Sequence, residues 1–407
     1  MPRNFRILSL DGGGTWALIQ VCALKTVFGS GQVKGHDVLK AFDLAIGNSG
    51  GSIVLGALLA NMSLDDLLGF FSNTAKLDSI FVPASIAEDP VSYFLRHFLD
   101  QDIGPKYDAA AKLTGLSAAL SPTGALPMTA LSGIVGNNYR NVPVNFVICG
   151  FDYDSQRETF FRSDAASIAA SGTPAVGATL AEAIHASSNA PVNYFDAPAQ
   201  FLNRRYWDGA IGGYNNPVFA GVIEAIANAK RYGIVNNQIA ALSLGTGSVA
   251  LLPPDAPGNP PDAFVAARTT STIPHDLVKM AESILDDPPD AASFHTHVML
   301  GGGLENLPVT DGPIVRMSPL IQPIRKADGT WTYPSGLSPD QFGKLVNLDF
   351  DAHDIPDIAL IQDLCNSWLA DRSNNQPIRA NAATTEAEIG HGKFSQALAA
   401  WKALWSA

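Results

Sequence analysis

The apolar run Phe42-Asp43-Leu44-Ala45-Ile46 breaks at Gly47-Asn48-Ser49-Gly50-Gly51 and resumes at once through Ser52 to Ala60. This order predicts strand, turn and helix, because closely spaced glycines permit a tight elbow that lifts the serine hydroxyl clear of the backbone. The helix then begins at the serine, and its positive end faces any oxyanion that forms there. The Gly-x-Ser-x-Gly pattern occurs once in the chain. Taken alone, five residues leave two meanings open. One is an activated serine nucleophile; the other is a Gly-rich turn whose serine merely caps the helix or meets solvent.

A second glycine turn sits near the start. Phe5–Leu10 reads as a strand that ends in Asp11-Gly12-Gly13-Gly14-Thr15, and the apolar stretch from Trp16 to Phe28 reads as a buried helix. Glycines between a strand and a helix N-terminus present several backbone N–H groups to one point. Such a cradle suits a phosphate or the oxyanion of an acyl-transfer intermediate, the bland alternative being a plain strand-to-helix loop.

The remaining composition narrows the class. At 407 residues, 46% hydrophobic and only 16% charged, the chain can bury a large α/β core and is not of disordered composition. A net charge of −12 argues against nucleic acid as a partner and against membrane attachment by charge alone. Three scattered cysteines, Cys22, Cys149 and Cys365, form neither a disulfide framework nor a zinc pattern. No signal-peptide-like segment opens the sequence, and no apolar run reaches the ~18 residues of a membrane span, so a cytoplasmic protein is expected.

Strands alternate with helices over the first 250 residues, which predicts an α/β fold with a mainly parallel sheet. Helices are expected over Ser63–Thr74, with Ser63 as cap, and over Thr179–Ser187; strands over Val142–Asp152 and Ile239–Leu244. Residues 78–137, punctuated by prolines and including the amphipathic piece Val91–Leu99, read as an excursion that could cover a site. Asp208 ends a strand-like stretch before Gly209 and Ala210, where its carboxylate can point into a cleft, although most Asp-Gly pairs are simple turns. Beyond a Pro-rich loop at Pro253–Pro261, helices are expected near His275–Leu285, Ser338–Leu345 and Asp354–Leu369, and the C-terminal region is expected to be mostly helical. His275, His295 and His297 are the nearest approach to a metal site. An i, i+2 pair suits a strand rather than a helix and no carboxylate stands at motif spacing, so surface or core histidines are the better reading and no metal is expected.

Asp11-Gly12-Gly13-Gly14, then Gly47-Asn48-Ser49-Gly50-Gly51, then Asp208-Gly209-Ala210 together resemble the patatin-like phospholipase family. Ala186-Ser187-Ser188-Asn189-Ala190-Pro191, Asn215-Asn216-Pro217 and Leu242-Ser243-Leu244-Gly245-Thr246-Gly247 are similar to it as well, so the resemblance spans about residues 5–250. It implies a three-layer α/β/α fold, read here as a single domain over 1–407 with residues 251–407 packed on the core. It also implies a Ser–Asp dyad: Ser49 the nucleophile, Asp208 the base, and the N–H groups of Gly12, Gly13 and Gly14 the oxyanion hole. The implied substrate is a fatty-acyl ester, a phospholipid or lysophospholipid above all, met through transient peripheral membrane contact and without a cofactor. His185 is the histidine nearest a motif and reads as a helix-surface residue.

Trp16 and Ala17 stand where that family usually has Arg or Lys and then Gly. A single charge–oxyanion contact is worth on the order of 2–3 kcal/mol, so Trp16→Arg should raise turnover if the missing cation is limiting. Two rival readings follow from the same residues. One is a catalytically weak or inactive lipid-binding protein on the same scaffold. The other is an actin-like sugar kinase or ATPase, whose phosphate and adenosine loops Asp11–Thr15 and Gly245-Thr246-Gly247-Ser248 also resemble. In that fold the first loop joins two strands of a hairpin.

Overall fold

The structure is a computed structural model that describes residues 4–84, 105–164, 177–191, 194–235, 238–267, 289–303, 312–379 and 388–406, together with residues 270–272, 276 and 279. The central sheet is built from β1 (Phe5–Leu10), β2 (Leu44–Gly47), β3 (Asn145–Asp152), β4 (Arg157–Arg162), β5 (Ala199–Phe201), β6 (Arg204–Asp208), β7 (Ile239–Leu244) and, after the short β8 (Ser248–Val249), β9 (Ile314–Met317). Its order is β5-β6-β3-β2-β1-β7-β9, with β4 paired to β3 off that path. From β3 through β2, β1 and β7 to β9 every neighbour is parallel, whereas β4, β5 and β6 add antiparallel strands at one side.

Side-chain alternation builds two cores on this sheet. Leu8, Leu10, Ala45, Leu242, Leu244, Val315 and Met317 point into one, with α1 (Leu18–Phe28), α2 (Gly35–Leu39), α3 (Ser49–Leu59) and α4 (Leu64–Phe71) and the C-terminal helices Ile355–Leu369 and Phe394–Ser406. Phe5, Ile7, Leu44, Ile46, Ile239, Ala241 and Ile314 point into the other, covered by helix Val218–Ala227. With both faces covered, β1, β2, β7 and β9 are buried along their whole length. This is the three-layer α/β/α arrangement expected.

Several local expectations hold. Ser63 caps α4 through a capping box with Asp66, Thr179 does the same for Leu180–Ser187 with Glu182, and Ser338 caps Pro339–Val346 with Gln341. Along Ile355–Leu369 the residues Ile358, Ile361, Leu364 and Trp368 are buried together. Besides its helices, the C-terminal region contributes β9 to the main sheet and β10 (Pro319–Ile321), which pairs with β8. The Val91–Leu99 piece and most of His275–Leu285 lie outside the described residues. Residues 289–299, which carry His295 and His297, are helical, a setting that does not suit an i, i+2 pair as ligands. His297 is buried there, its Nε2 3.2 Å from the Gly303 carbonyl oxygen. Among the described residues no three His, Cys, Asp or Glu side chains gather as a metal site, and no helix is long and apolar enough to cross a membrane.

Candidate active site

The elbow forms at the C-terminal end of β2. Asn48 is still extended, Ser49 takes the left-handed conformation (φ 47°), and α3 starts at Ser49 itself. A non-glycine residue held there stores on the order of 1–3 kcal/mol, which the surrounding packing must sustain. The adjoining glycines allow the turn to press on its neighbours. A Cβ on Gly50 would lie 2.4 Å from the Gly14 carbonyl oxygen, and one on Gly51 2.3 Å from that of Leu10. Gly12 also passes close by, a Cβ there lying 3.0 Å from that of Ser49. The two glycine turns, 36 residues apart in sequence, are therefore packed against each other.

Asp208 ends β6, whose antiparallel pairing with β3 carries it across to the elbow. Its carboxylate is buried, and burial raises its pKa above the usual carboxylate value of 3.8. The Ala210 N–H at 2.9 Å and the Asn48 amide at 3.0 Å hydrogen-bond the carboxylate and, with the polar Ser49 side chain and the charge of Lys112 nearby, offset part of that rise. The backbone N–H of Asp208 donates to the Asn189 carbonyl at 3.0 Å, and that of Ser49 donates to Ser187 Oγ, also at 3.0 Å. The Ala186–Pro191 stretch thus holds both members of the pair in place.

The glycine loop is braced on every side. The Gly12 N–H donates to the Asn215 carbonyl oxygen at 2.8 Å, and its own carbonyl accepts from Thr246 Oγ1 at 2.7 Å. Asn215 and Thr246 come from the other two motif-like stretches. The Gly12 N–H is thus engaged, whereas among the described residues no acceptor takes the N–H groups of Gly13 and Gly14. Beneath the loop, Arg316 of β9 meets the Asp11 carboxylate at 2.6 Å and donates to Ser243 Oγ at 2.8 Å. Burial outweighs this partner and brings Asp11 to about 6.

Three features were not foreseen. Trp16 is buried as expected, but its indole N–H donates to the Asp349 carbonyl at 3.1 Å, so position 16 anchors a C-terminal loop. His185 is buried, not on a helix surface, because its helix is enclosed by β3, α3 and helix Ala109–Ala119. Burial and the neighbouring Lys112 drive its imidazole down to about 2, which denies it a proton-accepting role near neutral pH. Lys112 itself is fully buried, 3.3 Å from the His185 carbonyl and over the Phe195 ring, and burial holds its amine well below the usual lysine value.

A serine on a strained strand-to-helix elbow, a buried carboxylate bonded to the neighbouring Asn48 and a glycine loop packed against the elbow thus come together at one end of the mainly parallel stretch of the sheet. Residues 8–221 match the family described as patatin-like phospholipase, more than half of the chain. The chain belongs to the patatin-like phospholipase family, a family of lipid acyl hydrolases. Among solved structures it is similar to VipD from Legionella pneumophila, at 10% identity and a TM-score of 0.34, covering 90% of this chain and 67% of that one. It is also similar to the type III effector protein ExoU, at 13% identity and a TM-score of 0.24, covering 74% of this chain and 54% of that one. The chain thus spans about two thirds and about half of these two. No curated protein matches it. The kinase alternative finds no footing: β1 pairs in parallel with β2 and β7, and its loop leads into a helix rather than a hairpin.

Proposed function

We propose that this chain cleaves fatty-acyl esters through an acyl-serine intermediate, with Ser49 as nucleophile and Asp208 as general base. The observation that carries this is the buried Asp208 carboxylate, raised in pKa and held beside the elbow by the Asn48 amide at 3.0 Å, next to Ser49. As Ser49 Oγ attacks the ester carbonyl, its proton passes to Asp208, and the carbonyl oxygen's negative charge meets the N–H groups of Gly13 and Gly14. Collapse of the tetrahedral species expels the alcohol, which takes the proton from Asp208. Water then repeats the sequence on the acyl-serine and releases the fatty acid. Gly12 acts by position, its N–H held by Asn215. Asp11, Gly47, Gly51, Gly209 and Ala210 shape the turns around the dyad.

The substrate class proposed is a phospholipid or lysophospholipid, reached by transient contact with a lipid surface. We read residues 1–407 as one domain, a reading supported by β9 of the C-terminal region pairing with β7. The test is covalent labelling by a fluorophosphonate probe, with Ser49→Ala and Asp208→Asn alongside. The expected result is labelling of wild type that Ser49→Ala abolishes and Asp208→Asn slows by about 10²–10⁴-fold. A folded wild type that resists the probe overturns the dyad and turns attention to a non-catalytic lipid-binding role.

A further inference from the structure

Residues Asp349-Phe350-Asp351 lie 128 positions or more beyond the family-matched stretch, yet they form a strap laid directly on the glycine loop. The Phe350 carbonyl accepts from the Thr15 N–H at 2.9 Å and from Thr15 Oγ1 at 3.0 Å. The Asp349 carbonyl accepts from Trp16 Nε1. On the strap's other side Lys106 Nζ reaches Asp349 at 3.0 Å and Asp351 at 3.3 Å, Tyr107 donates to Asp351 at 2.7 Å, and Tyr194 donates to Asp349. Beneath these, Phe81, Tyr107, Phe195 and His353 pack ring against ring. A three-residue surface loop fixed at both carboxylates and two carbonyls is part of a built wall, not a loose connection.

The strap holds one large apolar side chain that its anchors leave open. Phe350 is 36% exposed although its backbone is fixed against Gly14, where an added Cβ would stand 2.1 Å from the Phe350 carbonyl oxygen and 3.3 Å from its Cβ. Gly14 in turn abuts Gly50, the residue after Ser49. We propose that the strap is the outer wall of the substrate entrance and that Phe350 is a specificity-determining residue that packs on the acyl chain of the ester. An ester whose carbonyl oxygen is held by Gly13 and Gly14 extends its acyl carbons from that same point. An exposed aromatic side chain whose backbone is fixed beside the loop gains by covering them, since apolar area leaves water on both partners. Trp16 acts as a positioning residue for the strap, which gives the aromatic residue at that position a role of its own.

This inference rests on the acyl-ester reading of Ser49, and two measurements keep their failures apart. The first compares kcat/KM for p-nitrophenyl butanoate and p-nitrophenyl dodecanoate. Phe350→Ala should lower the dodecanoate-to-butanoate ratio about tenfold, mostly through KM, while Phe350→Leu stays within about threefold of wild type and fluorophosphonate labelling of Ser49 persists. An unchanged ratio overturns the proposal. The second measures dodecanoate binding by calorimetry to Ser49→Ala and to the Ser49→Ala, Phe350→Ala double variant, where no turnover is needed. A loss of about tenfold in the double variant supports the wall even if wild type hydrolyses no ester, a result that would sink the dyad alone. Equal affinity, or no binding to Ser49→Ala, overturns the wall whatever the labelling shows.

Discussion

At the residue scale, the site turns on a carboxylate kept where ionisation is costly. Asp208's pKa is raised by burial above 3.8, so the folded chain holds its proton more tightly than the unfolded one. Stability therefore falls as pH rises from the ordinary carboxylate value through the folded one, and above that window the cost stays constant. In the proposed mechanism activity moves the other way, because only the ionised form accepts the Ser49 proton. The acidic limb of kcat/KM should thus sit above the usual carboxylate range, losing about tenfold per pH unit below it, which a pH–rate profile checks. Asp208→Asn should remove activity yet melt at the same temperature as wild type or higher at pH 8. The Asn48 amide and the Ala210 N–H both bond Oδ1, which asparagine retains. A clear drop in the pH 8 melting temperature would show the charge to be stabilising and overturn this account. The serine was legible from sequence because glycines flank it between two apolar runs. Asp208 was singled out by family resemblance, since nothing local separates it from the Asp-Gly pairs at 11, 311 and 328.

At the scale of elements, position 16 shows where local reading fails. From sequence, Trp16 looks like a lost cation that arginine would restore. In the fold its ring is 5% exposed and its N–H is bonded to the strap. Arginine there would bury a charge and release the Asp349 carbonyl, while the Asp349 carboxylate is already taken by Lys106 and Tyr194. Trp16→Arg should therefore destabilise by about 3–5 kcal/mol and reduce turnover rather than raise it, as chemical denaturation and ester hydrolysis would show. A stable variant with faster turnover would restore the missing-cation view. The strap itself carried no local signal. Asp349-Phe350-Asp351 has turn-like composition, and its partners Thr15, Lys106 and Tyr194 lie 155 to 335 residues away. His185 was misjudged for a related reason. Its helix has the capping box and length of a surface helix, but layers close over every side of it.

At the scale of the molecule, the family-matched part and the C-terminal part are joined through the site. β9 extends the sheet beside β7, and from it Arg316 reaches under the glycine loop to Asp11. An arginine inside the apolar stretch Ile314-Val315-Arg316-Met317 was a readable hint of a buried partner, although nothing in the sequence named Asp11. Arg316→Met should leave Asp11 buried without its counter-ion and cost about 3–5 kcal/mol at pH 8. The loss should shrink near pH 5, where a carboxyl already at about 6 is protonated, and Asp11→Asn should rescue it. Equal destabilisation at both pH values would count against the ion pair as the cause. The layered core was the most legible level, because strand and helix periodicities report burial directly. The order of synthesis gives this arrangement a further meaning. A ribosome that has reached residue 300 has already delivered Ser49, Asp208 and all three loop glycines, but neither Arg316 nor the strap. The growing polypeptide carries every proposed reacting group long before it carries the parts that brace them. On the proposed reading, a chain that can attack lipid esters is assembled only once Arg316 and the strap have emerged.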